Sequence, residues 1–163
     1  MTRRGLLARL SGLMIPFLPS ARAAADDDSL LAASSNNWQL SDAEWKRRLS
    51  PEAYAVLRRE ATERPFSSPL NNEKRAGTFL CAGCALPLFS SKAKYDSGTG
   101  WPSFWQPLPN AIATKVDFKL IVPRTEYHCR RCGGHQGHVF GDGPRPTGKR
   151  YCNNGVALSF RAD

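Results

Sequence analysis

The chain has 163 residues, with 23 Lys or Arg against 14 Asp or Glu for a formal charge of +9, and it carries five cysteines, 13 glycines and 12 prolines. That length fits one domain with little beside it, its 41% hydrophobic and 23% charged content is ordinary for a globular protein, and no apolar run approaches the roughly 20 residues of a membrane-spanning helix. Glycine and proline at this frequency interrupt long helices, which argues against a helix bundle and for short strands joined by turns.

Residues 1–25 read as a cleaved leader. Arg3 and Arg4 precede a mildly apolar stretch from Leu10 to Leu18, Ala21, Arg22 and Ala23 offer a small-x-small cleavage site, and no acid occurs before Asp26. Paired arginines ahead of a weakly hydrophobic core resemble a bacterial twin-arginine export signal and point to the periplasm; a mitochondrial transit peptide and a merely disordered start are the alternatives. Loss of Arg3, Arg4, Arg9 and Arg22 leaves 19 cations against 14 acids, a formal charge of +5. The remaining cations are scattered, without the long basic stripe of a nucleic-acid binder.

Residues 26–40 read as a flexible lead-in and 41–163 as the folded domain. Ser41 with Glu44 makes a capping box for a short helix to about Leu49. Ser50 then caps a second helix with Pro51 at its first position, and Tyr54, Leu57 and Ala61 recur at helical spacing up to a break near Pro65. From Gly77 onward short strands are expected at Thr78–Leu80, Ala113–Val122, Glu126–His128, His138–Phe140 and Tyr151–Phe160. No gap between them shows a helical period, so the expected fold is mainly β and antiparallel.

Cys81 and Cys84, and Cys129 and Cys132, form two CxxC knuckles with 44 residues between them. Each two-residue spacer permits a tight turn that aims two thiolates at one centre, and two such turns give tetrahedral sulfur coordination for zinc. Two disulfides, or a thioredoxin-like redox pair, are the competing readings; Pro87 and the loop after Cys84 argue against the redox pair. Export in the folded state would let zinc load before the thiols met an oxidant.

The odd count leaves Cys152, in a segment where Arg150, Cys152 and Asn154 alternate onto one face. A cation two residues away favours a thiolate, yet a lone cysteine is more often a small buried apolar residue. Two clusters bear on it. Residues 133–143 place His135, His138 and Asp142 among glycines, and residues 96–104 put Trp101 and Phe104 on a glycine-rich loop. Each could be a metal ligand or a core packer, but with four thiolates on a zinc the histidines are free to support sulfur chemistry.

The strings CAGC at 81–84, YDSGTGWPSF at 95–104, CRRCGGHQGHVFGDGP at 129–144 and RYCNNGVALSF at 150–160 resemble, in order and spacing, the methionine-R-sulfoxide reductases over residues 41–161. The resemblance implies two small antiparallel sheets, tent- or barrel-like, with short N-terminal helices and a structural four-cysteine zinc remote from the active cysteine. It implies that Cys152 attacks the sulfoxide sulfur, takes its oxygen as a sulfenic acid and releases methionine. His135 and His138 match groups that meet the sulfoxide oxygen, Asp142 and Asn154 match positions that orient them, and Arg150 matches the arginine that favours the thiolate. Trp101 matches the ring under the substrate methyl, and Phe140 lines the same pocket.

One departure matters. Many relatives carry a resolving cysteine where this chain has Thr99, so the resemblance is to one-cysteine members that need an outside thiol, a thioredoxin-like donor or glutathione. The expectation is therefore a monomeric periplasmic repair enzyme acting on oxidised proteins or peptides, with no nucleic acid and no membrane span. The competing class is a zinc-stabilised tent-fold module that binds a partner and has no chemistry.

Overall fold

The computed structural model describes residues 38–119 and 122–163. The expected leader 1–25, and the lead-in apart from its last three residues, lie outside the described residues. No described helix is long and apolar enough to cross a membrane.

Helix α1, Asp42–Arg48, starts on the expected capping box, with Glu44 N–H donating to Ser41 Oγ while the Ser41 N–H donates to the Glu44 carboxylate. Helix α2, Pro51–Arg59, starts on Ser50, whose Oγ accepts from Ala53 N–H. It ends well short of Pro65. Glu60 turns left-handed at φ 55, and the Glu60 and Ala61 amides close back on the Val56 and Ala55 carbonyls. That closure satisfies the last helical carbonyls and stops the helix.

The strands are β1 Gly77–Cys81, β2 Pro87–Ser90, β3 Lys94–Tyr95, β4 Ser103–Phe104, β5 Ile112–Asp117, β6 Arg124–Cys129, β7 His135–Phe140, β8 Arg150–Asn153 and β9 Leu158–Ala162. They form a three-stranded sheet, β2-β1-β9, and a six-stranded sheet, β3-β4-β8-β7-β6-β5, antiparallel throughout. The mainly β, two-sheet expectation therefore holds, with three boundary corrections. Strands β2, β3 and β4 have no counterpart in the expected set. The expected Ala113–Val122 strand stops at Asp117, whose carboxylate accepts Lys119 N–H and turns the chain. The expected Tyr151–Phe160 strand is two strands in different sheets, parted by a 3₁₀ turn at Gly155–Ala157. There the Gly155 and Val156 amides donate to the Glu63 carboxylate, which draws the backbone out of the ladder.

The core lies between the sheets. Phe79 and Phe89, paired across β1 and β2, meet Phe104 and Tyr127 of the large sheet, and the Phe89 and Phe104 rings stack at 4.2 Å. Each of these four side chains is fully buried, and such burial stabilises by about 2–3 kcal/mol apiece. Alternation does the rest: Tyr151 and Asn153 point into that core, while Arg150 and Cys152 take the opposite face of β8.

Candidate active site and metal cluster

The two knuckles meet where β1 and β6 end. Their four Sγ atoms lie within 4.8 Å of one another, with Cys81 and Cys132 3.7 Å apart and Cys84 and Cys129 3.5 Å apart. Zinc bonds of about 2.3 Å in a tetrahedron set sulfur edges of about 3.8 Å, so the donor set and its spacing fit that ion. All five cysteines are free thiols, so the two-disulfide alternative is not adopted. The knuckles are built alike. Ala85 N–H donates to Cys81 O at 2.8 Å and Gly133 N–H to Cys129 O at 2.9 Å, with both closing residues left-handed at φ 58 and 68. Gln136 Nε2 donates to Cys81 Sγ from outside the cluster at 3.4 Å.

Cys152 stands apart from this cluster. It is half-buried on β8, opposite His138 of β7 and Ser103 of β4. A cavity of about 110 Å³ opens on it, walled by Thr62, Trp101, Arg124, His138 and Phe140. Trp101 is fixed by its Nε1–H, which donates to Glu63 O at 3.2 Å. Gly137 lets β7 and β8 approach, since a Cβ there would fall 1.9 Å from Cys152 O.

Three residues apart on a strand, His135 and His138 should face opposite ways. The register of β7 against β6 shifts at Gln136, because Tyr127 pairs with Gly137 and His128 with His135. That extra residue puts both imidazoles on the Cys152 face, with ring centroids 5.4 Å apart. Each meets a carboxylate. His135 Nδ1 bonds Glu126 Oε1 at 2.7 Å, and His138 Nε2 bonds Asp117 Oδ2 at 2.7 Å. His135 Nε2 is buried without a hydrogen-bond partner among the described residues.

Residues 49–162 match the SelR domain model. The chain is 46% identical over 152 residues to the chloroplastic peptide methionine sulfoxide reductase B1 of Arabidopsis thaliana, covering 92% of this chain and 75% of that one. It is 50% identical over 147 residues to the peptide methionine sulfoxide reductase MsrB of Bradyrhizobium diazoefficiens, covering 88% and 98%. With the MsrB of Methanosarcina barkeri it shares 51% identity over 124 residues, covering 76% and 87%. The chain belongs to the B-type methionine sulfoxide reductases.

Within that family frame, the residues singled out in the sequence fall into two groups. Cys152, His138, Trp101, Phe140 and Asn154 line one cavity, with His135 packed behind His138. The resemblance implied that Asp142 and Asn154 orient the imidazoles, but neither side chain bonds them. Asp142 binds the Arg150 guanidinium at 2.9 and 2.8 Å, and Asn154 spans Gln136 O and Glu63 N–H. The orienting carboxylates are Glu126 and Asp117, neither singled out in the sequence. Glu126 was legible only as the first residue of the expected Glu126–His128 strand, and Asp117 only as a position inside the expected Ala113–Val122 strand.

The electrostatics follow from burial. Burial pushes the Cys152 thiol up, and the Arg150 guanidinium with hydrogen bonds from Thr99 and Arg150 draws it only part of the way back. The expected thiolate bias of Arg150 is present and is outweighed. Arg150 lies over the Phe140 ring at 4.3 Å, which keeps its charge beside the sulfur. Burial likewise lowers the His138 pKa, against the hydrogen bond that its Nε2–H donates to Asp117. The Lys119 amide and then His138 hold the Asp117 carboxyl well below its ordinary range. Burial works against Glu126, but bonds from His135 and His128 hold it ionised.

Proposed function

We propose that the chain reduces R-methionine sulfoxide in oxidised proteins to methionine through a sulfenic acid on Cys152, which an external thiol then removes. The observation that carries this reading is a half-buried cysteine facing an imidazole across one ladder step, in a cavity sized for the end of a methionine side chain. Trp101 and Phe140 supply apolar walls for the methyl and methylene groups on either side of the sulfoxide.

The protons balance without a charged donor. Burial raises the Cys152 pKa and lowers that of His138, which favours the thiol and the uncharged imidazole at rest. As Sγ takes the sulfoxide oxygen, the thiol proton passes by the imidazoles to that oxygen, giving Cys152 sulfenic acid and free thioether. The substrate sulfur gains two electrons and Sγ loses two. Arg150 steadies the sulfur as its negative charge develops, and Asp142 holds Arg150 in place.

Regeneration rests on Thr99. Its Oγ1 joins Ser97 Oγ at 2.8 Å, and Ser97 Oγ joins Ser103 Oγ at 2.7 Å, so a hydroxyl chain stands where a resolving thiol would be needed. The other four sulfurs are gathered in the knuckles. A thioredoxin-like dithiol or glutathione therefore attacks the sulfenic sulfur, releases water and leaves a mixed disulfide that a second thiol clears. In this reading the knuckles hold one structural zinc through Cys81, Cys84, Cys129 and Cys132, and residues 1–25 direct twin-arginine export to the periplasm.

Turnover of separated epimers is the test. The R epimer should be consumed and the S epimer spared, because seating the methyl on Trp101 aims only one epimer's oxygen at the imidazoles. Equal rates would overturn the reading. A binding module without chemistry would turn over neither, and would keep its ligand in Cys152→Ser.

A further inference from the structure

A second cavity is larger than the one at Cys152. It holds about 790 Å³ and lies between α2, the 3₁₀ turn at Pro69–Asn72 and the start of β9. Its walls are mainly apolar, with Val56, Leu70, Val156 and Leu158 foremost. Two stretches of chain border both cavities. Thr62 lines each, and the run from Asn153 to Val156 passes from the wall of one into the wall of the other.

The partition between them is rigid. Glu63 O accepts from Trp101, Glu63 N–H donates to Asn154 Oδ1, and both carboxylate oxygens bind the Gly155 and Val156 amides. Those oxygens are engaged and Ser68 Oγ accepts from Leu70 N–H, so the remaining polar lining is Glu52, Thr62, Arg64 and Ser159 beside a mainly apolar wall. The cavity suits an apolar side chain.

We infer that this cavity seats an apolar residue flanking the methionine sulfoxide of a polypeptide substrate. The inference rests on the proposed function and names the substrate class of that same site. The cavity at Cys152 has room for about one side chain, so the rest of a polypeptide must continue outside it, and Thr62 is the exposed crest over which it would pass. Methionine is a core residue, and the segments that carry it present other apolar residues on the same face. Oxidation that loosens such a segment offers both together.

The test compares N-acetyl-methionine-R-sulfoxide amide with two short peptides that carry leucines or serines around the sulfoxide residue. Wild type should favour the leucine peptide over the serine peptide by about tenfold in kcat/KM, the scale of burying one leucine. Ala55→Arg places a long side chain in the cavity from a helical position that tolerates it, and Leu70→Asp makes the seat polar. Each should abolish the preference, leave the amide within about twofold and leave the KM for the thiol donor unchanged. Equal kcat/KM for both peptides in wild type would overturn the inference. So would variants that keep the preference, that raise the donor KM instead, or that break up a wild-type dimer. Failure to reduce even the amide would strike the proposed function, a distinguishable result.

Discussion

The five cysteines occupy two sites that treat sulfur in opposite ways. In the knuckles four thiols are buried within 4.8 Å of one another, at loop ends whose backbone turns are duplicated. At β8 one thiol is half-exposed in a walled cavity with imidazoles and a guanidinium around it. Proximity of like groups makes a cation the only comfortable occupant of the first site. The second keeps its sulfur single, so its chemistry must come from other residue types. The difference shows that a cysteine's fate here is decided by its neighbours and not by its burial alone.

The strongest way to sharpen that contrast is a serine on each side of it. Cys152→Ser should lower turnover by about 10⁴-fold or more while the Tm stays within a few degrees. Cys84→Ser should do the reverse, collapsing the Tm with loss of the proposed zinc, because a metal held by the four thiols would join segments far apart in the chain. Activity assays, thermal melts and metal analysis of both variants read the outcome. Two variants with the same profile would erase the distinction.

Next in size is His138→Ala, which should cut kcat by about 10²- to 10⁴-fold with a small change in KM, since proton delivery matters most as the sulfur–oxygen bond breaks. Third is the pH profile. With Cys152 raised and His138 lowered, kcat/KM should be flat through neutrality. It should fall in acid only below the ordinary histidine pKa, as His138 protonates, and fall in alkali once the thiol proton is gone. Arg150→Met removes a cation that favours the thiolate, so the alkaline limb moves to higher pH and the plateau drops by about tenfold. A limb rising through neutrality would show instead that the free thiolate is the reactant.

The smallest effect separates backbone from sulfur. Gly133→Ala should cost about 1 kcal/mol, because it forces a side chain into a left-handed position, whereas Ala85→Gly at the matching position should be neutral or mildly stabilising. Denaturant unfolding with zinc present measures both, and kcat should not move in either.

Much of this contrast was legible in the chain. The knuckle spacing, the helix caps at Ser41 and Ser50, and the grouping of Trp101, His138, Phe140 and Cys152 were readable because each depends on local spacing or on a motif. What escaped depends on partners distant in sequence. The extra residue at Gln136 turns His135 toward the site only because β6 fixes the register of β7, and periodicity within β7 cannot show it. Glu126 and Asp117 gain their roles across the sheet, and Glu63, 91 residues from Asn154, breaks the strand expected at Tyr151–Phe160. Asp142 and Asn154 were assigned to the imidazoles by position in a motif, whereas Arg150 and the Gln136 backbone are what they reach.

The measurement closest to the central claim, one reactive sulfur and four structural ones, is a single turnover without thiol donor. R-methionine sulfoxide mixed with the zinc-loaded protein should yield about one methionine per chain and then stop, with a sulfenic acid on Cys152, zinc retained and no new disulfide. Thr99→Cys should convert that endpoint to a disulfide with Cys152, provided the two Cα atoms come within about 7 Å. In the unmodified protein, a disulfide between Cys152 and any of Cys81, Cys84, Cys129 or Cys132, with zinc released, would contradict the claim and make the metal cluster part of the redox cycle.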